Sequence, residues 1–330
     1  MKRHKRTLLG FSLTLAATLA AQPICALPES AHIQDNITEN PTQVPSVADY
    51  YRSRLPIPHS VTLPLDVSEA QAIAYAEHMR DRFVLDLLPE FGPIVGYKAG
   101  LTSPPAQAHF GVEQPLRGTL LYNMLLNSGA TVPSQFGSRP LFEPDLMVRV
   151  RSATINQATT HHDVLAALES VIPFIELPDL MFAPGVELDA NDLIAVNVGA
   201  RLGVMGEEIS LNSALSSRLD GQDWVDVLGN IEVDMVAEAT TNIDQSGGET
   251  SPQLIASGNS QALLGHPLDV VLWMVEDLKR SGQSLRPGDL LSLGSITAPM
   301  PVIAGQTIQA RYYGITEEVI TVQVTFEPSP

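Results

Sequence analysis

Glu143 and Asp145 stand one residue apart in the stretch Leu141-Phe142-Glu143-Pro144-Asp145-Leu146-Met147-Val148-Arg149-Val150. Read as a strand, this stretch sends alternate side chains to opposite faces. Both carboxylates then share one face, and Phe142, Leu146, Val148 and Val150 take the other. Neighbouring carboxylates repel unless a cation or a proton lies between them. Oxygen-only ligands suit a hard divalent ion such as Mg2+ or Mn2+. The competing reading is a solvated edge strand, where Pro144 is tolerated and exposed acids are ordinary. A third acid, Glu176, interrupts the apolar run Ile172-Pro173-Phe174-Ile175-Glu176-Leu177-Pro178-Asp179. Burying it without a partner is costly. Either it points outward from an edge, or a metal shared with Glu143 and Asp145 satisfies all three.

Other polar residues sit in unusual company. Lys98 lies between glycines in Gly96-Tyr97-Lys98-Ala99-Gly100; by residue type alone it reads as a surface lysine. Asn197 is the polar member of the apolar run Ala195-Val196-Asn197-Val198-Gly199, and Gly294-Ser295 closes a strand with a hydroxyl and free amides. His266, before Pro267 at a helix start, reads as a structural hydrogen-bonder. His161-His162 falls in a polar loop without metal-ligand spacing.

An ordered set of motifs gives these residues a context. Gly96-Tyr97-Lys98-Ala99-Gly100-Leu101-Thr102-Ser103 resembles the G-x-K-x-G-L-T stretch of the 2-keto-4-pentenoate hydratases, a branch of the fumarylacetoacetate hydrolase superfamily close to the 4-oxalocrotonate decarboxylases. Gly111-Val112-Glu113-Gln114-Pro115 followed by Gly118-Thr119-Leu120, the E-x-E-like acids, Leu264-Gly265-His266-Pro267-Leu268 and Leu285 to Leu291 through Gly294-Ser295 follow in the same order. The resemblance covers most of the chain, from near Ser68 to the last strand. It implies an α+β fold, a mixed β-roll with a small helical N-terminal unit. It implies a divalent metal, Mg2+ or Mn2+, on Glu143, Asp145 and Glu176, with Lys98 facing the substrate. It further implies that Gly294 and Ser295 hydrogen-bond a substrate carboxylate and that Asn197 lies near the pocket.

The implied chemistry is hydration of a small 2-hydroxy-2,4-dienoate to a 4-hydroxy-2-oxo acid. Decarboxylation of an oxalocrotonate-like acid and cleavage of a carbon–carbon bond are the enzymatic alternatives, and a homo-oligomer is expected. Three departures bear on this. Leu116-Arg117 stands where the family often has an acid. Leu177-Pro178-Asp179-Leu180-Met181 lacks the arginine of the family's D-S-R, and the second acid of the pair is Asp rather than Glu. They keep open a non-catalytic reading, an exported protein that binds a metal and a 2-oxo acid.

The elements needed to position these groups are legible in outline. The chain has 330 residues, 44% hydrophobic, with sparse aromatics at 5%, enough for one sizeable core plus a smaller accessory unit. A formal charge of −18 and no basic stripe argue against nucleic acid or an anionic membrane as partner. Met1 to Arg6 is a basic n-region and Leu8 to Ala21 an apolar one, so residues 1–26 read as a secretory signal cleaved after Ala26, with Ala21 as the other candidate. Cleavage after Ala26 would leave a charge of −22 and remove Cys25, the only cysteine. The mature protein is then expected to be periplasmic or secreted, without a membrane anchor and without thiol chemistry.

Residues 27–62, rich in Pro, Ser, Asn and Thr, read as a flexible leader. A helical unit follows over 63–95. There Ser68-x-x-Gln71 forms a capping box, Ile73, Ala76, Phe83 and Leu87 recur at near-helical spacing, and Pro89 stops the helix. Residues 96–330 carry the β-roll. Within it, Asp163 caps a short helix expected over Val164 to Val171. A second helix carries the stripe Leu268, Val271, Leu272, Val275 and Leu278 and stops at Gly282.

Overall fold

A computed structural model describes residues 45–61, 67–211, 223–239 and 251–329. The expected signal segment and the leader before residue 45 lie outside the described residues. The first helix, α1 (Val47–Ser53), falls inside the stretch expected to be a flexible leader. Ser46 caps it in a capping box with Asp49, and Ala48 and Tyr51 are buried. Tyr51 packs edge-on against Phe83 at 5.3 Å and carries the Arg201 guanidinium over its ring at 3.7 Å. Aromatic burial therefore anchors a segment whose composition alone suggested none. Everything from Pro45 onward belongs to one compact unit.

The helix α2 (Glu69–Phe91) starts at Ser68 with the expected capping box, its side chain bonded to the backbone of Gln71. It runs through Pro89 and ends at Gly92, whose N–H reaches Leu88 O at 2.9 Å. Pro89 therefore sits in the last turn rather than stopping the helix; at that end its missing N–H costs one bond only. Ala76, Phe83 and Leu87 are buried as the spacing required, whereas Ile73 is exposed.

Next come β1 (Ile94–Gly100), α3 (Pro104–Phe110), β2 (Leu116–Leu121), β3 (Leu125–Asn127), β4 (Ala130–Pro133) and β5 (Leu141–Val150). After these run α4 (His161–Ala167), β6 (Leu168–Leu177), α5 (Ala190–Ala195), β7 (Leu202–Met205), β8 (Ile209–Ser210), α6 (Trp224–Leu228) and β9 (Glu232–Ala239). The chain closes with β10 (Gln253–Asn259), α7 (Pro267–Arg280), β11 (Leu290–Ser295), β12 (Met300–Pro301), β13 (Gln306–Tyr313) and β14 (Ile320–Glu327).

Two mixed sheets result. The larger runs β2-β1-β11-β5-β6-β7-β3, with β12 added to β5 and β8 to β6; the smaller runs β10-β9-β13-β14-β4. The α+β class expected from the motifs holds. One face of β5 and β6, carrying Phe142, Leu146, Val148, Val171 and Ile175, packs into the core that the smaller sheet and α7 fill with Ile308, Tyr312, Val324, Val271 and Val275. Leu268, Val271, Val275 and Leu278 of the expected stripe are buried.

The short helix before β6 differs from expectation. Thr160, not Asp163, is its N-cap; Asp163 is the third helical residue and completes the capping box. The helix ends at Ala167, and Leu168 to Val171 already pair with β5. The β-branched run Val171-Ile172 favours the ladder, and its cross-strand partners Val148 and Met147 make that choice cooperative.

Candidate active site

β5 is an interior strand, bonded to β11 on one side and β6 on the other. The edge-strand reading of its acids is therefore overturned: Glu143 is 7% exposed, Asp145 0% and Glu176 2%. Pro144 is accommodated because the ladder to β11 is interrupted beside it. Ser292 pairs with Met147 and Ser295 with Asp145, so Leu293 and Gly294 form a bulge opposite Leu146. Gly294 has φ 108°, and a Cβ there would meet Thr102 Oγ1 at 2.4 Å. This position needs glycine.

Pairing of β5 with β6 brings the acids together. Glu143 lies directly opposite Glu176, and Asp145 opposite Phe174. Lys98, on β1, reaches over the same face: its ammonium donates to Glu176 Oε1 and, at 3.0 Å, to Val198 O. Glu176 Oε2 is buried without a partner. Asp145 is well served instead, accepting from Ser292 Oγ, Leu146 N and Leu293 N. Burial and the facing Glu176 carboxylate push the Glu143 carboxyl well above the usual range, with Lys98 pulling the other way. Burial and Glu176 also push Asp145 up, opposed by the Ser292 hydroxyl and the Leu146 amide.

Three buried carboxylates thus face one ammonium. That donor set is oxygen-only and short of two positive charges, and one oxygen has no partner, which fits a hard divalent cation. Among the described residues, no three His, Cys, Asp or Glu side chains are drawn together tightly enough to hold an ion as they stand. Glu143 and Glu176 face each other, while the Asp145 oxygens are taken by Ser292 and two amides.

A cavity of about 580 Å³ opens above Lys98 and Glu143. Ser295 lines it, but its hydroxyl donates to Thr297 O rather than pointing free. Asn197 is not a pocket group. Its Oδ1 accepts from Thr119 N at 2.7 Å and its Nδ2 donates to Thr119 O at 2.9 Å, like a neighbouring strand. Its side chain clamps β2, and Asn197 stands beside the cavity-lining Val196 and Val198 rather than in the lining itself. Asn197 and Val198 both adopt left-handed backbone, φ 58° and 53°. For a β-branched valine that is a true outlier, and it delivers the Val198 carbonyl to Lys98.

Of the residues at the departures from the family pattern, Arg117 and Met181 fall outside the cavity, whereas Asp179 and Leu180 line it. Arg117 points from β2 toward α7, bonding Asp277 at 2.5 Å and Ser281 at 3.1 Å. Met181 is buried beside α1 and α2. Asp179 does line the cavity, yet its carboxylate is engaged by Ser138 N at 3.0 Å and Arg139 N at 2.7 Å. His266 is structural, as expected: Nδ1 caps α7 at Leu268 N and Nε2 meets Val225 O. Two supporting residues escaped the motif reading. Ser292, two residues before the bulge glycine, could have been found from its alternation with Gly294. Tyr312, whose hydroxyl bonds Asp145 O at 2.8 Å and Phe174 O at 2.6 Å, has no local signal at all.

No protein-family model matches the chain. Among curated proteins it is 26% identical over 228 residues to 2-keto-4-pentenoate hydratase 2 of Dechloromonas aromatica (strain RCB), covering 69% of this chain and 78% of the relative. It is 28% identical over 222 residues to a 4-oxalocrotonate decarboxylase of Pseudomonas putida, covering 67% and 75%. In fold it is similar to the 4-oxalocrotonate decarboxylase of Pseudomonas putida G7 solved with magnesium and adipate, at TM-score 0.58 and 24% identity over 79% of this chain and 98% of that one. The same enzyme solved with calcium and acetate gives a TM-score of 0.57. Motif order, curated relatives and fold thus agree: the chain is similar in sequence to 2-keto-4-pentenoate hydratases and a 4-oxalocrotonate decarboxylase, and in fold to a 4-oxalocrotonate decarboxylase.

Proposed function

We propose that this protein is a metal-dependent lyase acting on a small 2-oxo or dienol acid, most directly a hydratase of a 2-hydroxy-2,4-dienoate. The observation that carries this reading is the buried set of Lys98, Glu143 and Glu176 at the base of an open cavity, with one carboxylate oxygen left without a partner. Curated relatives named as hydratases support the reaction class. The magnesium and calcium in the decarboxylase structures support a divalent cofactor.

Glu143, Asp145 and Glu176 are the residues that would hold the cation. When bound, it supplies Lewis-acid polarisation of the 2-oxygen and a template for the substrate carboxylate. The chain's own groups do the rest. The Lys98 ammonium, removed from water, offsets negative charge developing on the 2-oxygen. It is also placed to relay the enol proton as that proton leaves the oxygen and another is added at C5. Water then adds across the remaining double bond, hydroxyl to C4 and hydrogen to C3. The apolar walls keep bulk water from screening these charges.

The decisive experiment offers purified protein, with Mg2+ or Mn2+, 2-hydroxypenta-2,4-dienoate and follows formation of the 4-hydroxy-2-oxo acid. Failure to turn over any dienol or 2-oxo acid with metal present would hand the site to the non-catalytic reading. Decarboxylation is the second enzymatic reading, favoured by a relative of that name at comparable identity; release of CO2 from an oxalocrotonate-like acid separates the two. We place the protein outside the cytoplasm on the basic and apolar order of its first residues. Recovering an intact Met1 from exported material would contradict this.

A further inference from the structure

The cavity above Lys98 is polar at its base and mostly hydrocarbon elsewhere, with Thr102, Ser103, His109, Asp179 and Thr297 as the further polar groups in its lining. Leu101, Ala106 and Phe110 line it from the α3 side, and Leu193, Val196 and Val198 from α5 and the turn after it. Among the described residues lining it, Lys98 is the only lysine or arginine, and Glu176 and the Val198 carbonyl already hold its ammonium. His109 is the only other basic side chain there and is solvent-exposed. The two acids that line the cavity, Glu143 and Asp179, repel anions. A volume of about 580 Å³ falls in the range of pockets that take drug-sized ligands, roughly 300–1,000 Å³. A five-carbon acid leaves most of it empty.

Building on the 2-oxo acid reading of this site, we propose that the substrate is a monocarboxylate whose end remote from the carboxylate bears an apolar alkyl or aryl substituent, and that dicarboxylates are selected against. A single carboxylate is served at the base. A second one, at the far end of the same molecule, would trade its hydration for methyl groups and an aromatic edge, with no lysine or arginine among the described lining residues to receive it. A hydrocarbon tail gains on the same wall. Each added methylene that leaves water is worth roughly a fourfold gain in binding.

Calorimetry on the full protein with Mg2+ tests this with saturated analogues that do not react. 2-Oxobutanoate, 2-oxohexanoate and 2-oxooctanoate are compared with 2-oxoglutarate and 2-oxoadipate. Affinity is expected to rise roughly fourfold per methylene along the monoacids until the cavity is filled. The dicarboxylates should bind at least tenfold more weakly than monoacids of equal length. Ala106→Arg, which sets a cation into the wall from the partly exposed α3, should narrow or reverse that difference. The same order is expected in kcat/KM for alkyl-substituted 2-hydroxydienoates against 2-hydroxymuconate. Dicarboxylates that bind or turn over as well as monoacids of equal length would overturn the proposal while leaving the lyase reading intact. An affinity indifferent to tail length would also overturn it. Absence of binding by every 2-oxo acid, with no dienoate consumed, would overturn both.

Discussion

Lys98 on β1 and Glu176 on β6 are joined by a buried ion pair, although β11 and β5 lie between their strands. Three interstrand spacings of roughly 4.8 Å would hold the two backbones about 14 Å apart on a flat sheet. The pair closes because the sheet curls toward this face. It is therefore a product of tertiary curvature, and it couples the lysine to the acids more tightly than a charge facing the substrate alone would be. Breaking a buried pair by deleting one member typically costs about 3–5 kcal/mol, since the other charge is left uncompensated.

Lys98→Met should lower kcat by roughly a hundred- to thousandfold, the effect of removing a preorganised charge at a developing oxyanion. Because the ammonium rests on Glu176, the metal-free variant should also melt lower than wild type. Added Mg2+ or Mn2+ should raise its melting temperature by more than it raises that of the wild type, as the ion then meets three acids with no competing cation. Parallel melting curves with and without metal check this. Full turnover by the variant would show the lysine to be a bystander.

Glu176→Gln removes the oxygen without a partner and half of the facing pair. Calorimetric titration with Mg2+ should show no binding at concentrations that saturate the wild type. The Glu143 carboxyl should fall back part of the way toward its ordinary range, because the Glu176 charge is the second cause of its rise after burial. Carboxylate infrared difference spectra on titration would register that fall; an unchanged Glu143 would mean burial alone sets it.

The elements that position the acids were readable because their signals are local. The bounds of β5 follow from two-residue alternation, and the start of α2 from Ser68 and Gln71. The curl that brings Lys98 to Glu176 joins residues 78 apart, and no spacing encodes it. Leu165, Leu168 and Val171 also suit a helical face, which extends the expected helix into β6; pairing of Val171 with Val148 decides the matter. α1 was hidden by the Pro, Ser and Thr around it, although Ser46 and Asp49 already formed its capping box. Asn197 stands out as polar in an apolar run, and the resemblance puts it near the pocket. Only its left-handed backbone and its two bonds to Thr119 give the real reason.

Asn197→Leu tests that reassignment. It strands the Thr119 N–H and C=O in a buried place, at about 1–3 kcal/mol for each unsatisfied group, and adds a strained left-handed residue without a local hydrogen bond to support it. A fall in melting temperature is expected at every substrate concentration. Asn197→Gly should relieve the backbone strain but not the lost bonds, and so fall between wild type and Leu. If instead stability were untouched and only KM rose, the residue would be a substrate ligand after all.

The last prediction concerns pH and His266, whose partners are Val225, Leu268 and His161. Its Nδ1 accepts from Leu268 N at 3.1 Å and so carries no proton, while Nε2 donates to Val225 O at 2.9 Å. The ring stacks on His161 at 4.3 Å, and His161 in turn bonds Asp269 at 2.7 Å. Burial lowers the His266 pKa first and the neighbouring His161 adds to it; the Val225 carbonyl, Asp269 and Asp226 act in the opposite sense. The folded value therefore lies below the unfolded one, near 6.5, and the unfolded chain takes up the proton first. Stability from the neutral cap is fully present above about pH 6.5 and is lost as pH falls through the folded value. Protonation would also remove the acceptor that caps α7. The melting temperature should thus decline as pH is lowered from about 6.5, above the ordinary carboxylate range. Protonation of Glu143 and Asp145, whose values are raised, acts in the opposite direction, so the test is the difference between variant and wild type at equal metal. His266→Asn keeps a capping oxygen and should flatten the acid-side decline. His266→Ala should flatten it too and lower stability by about 0.5–2 kcal/mol throughout, the usual cost of an empty N-cap. An acid-side decline of unchanged steepness in His266→Asn would place the titrating group elsewhere.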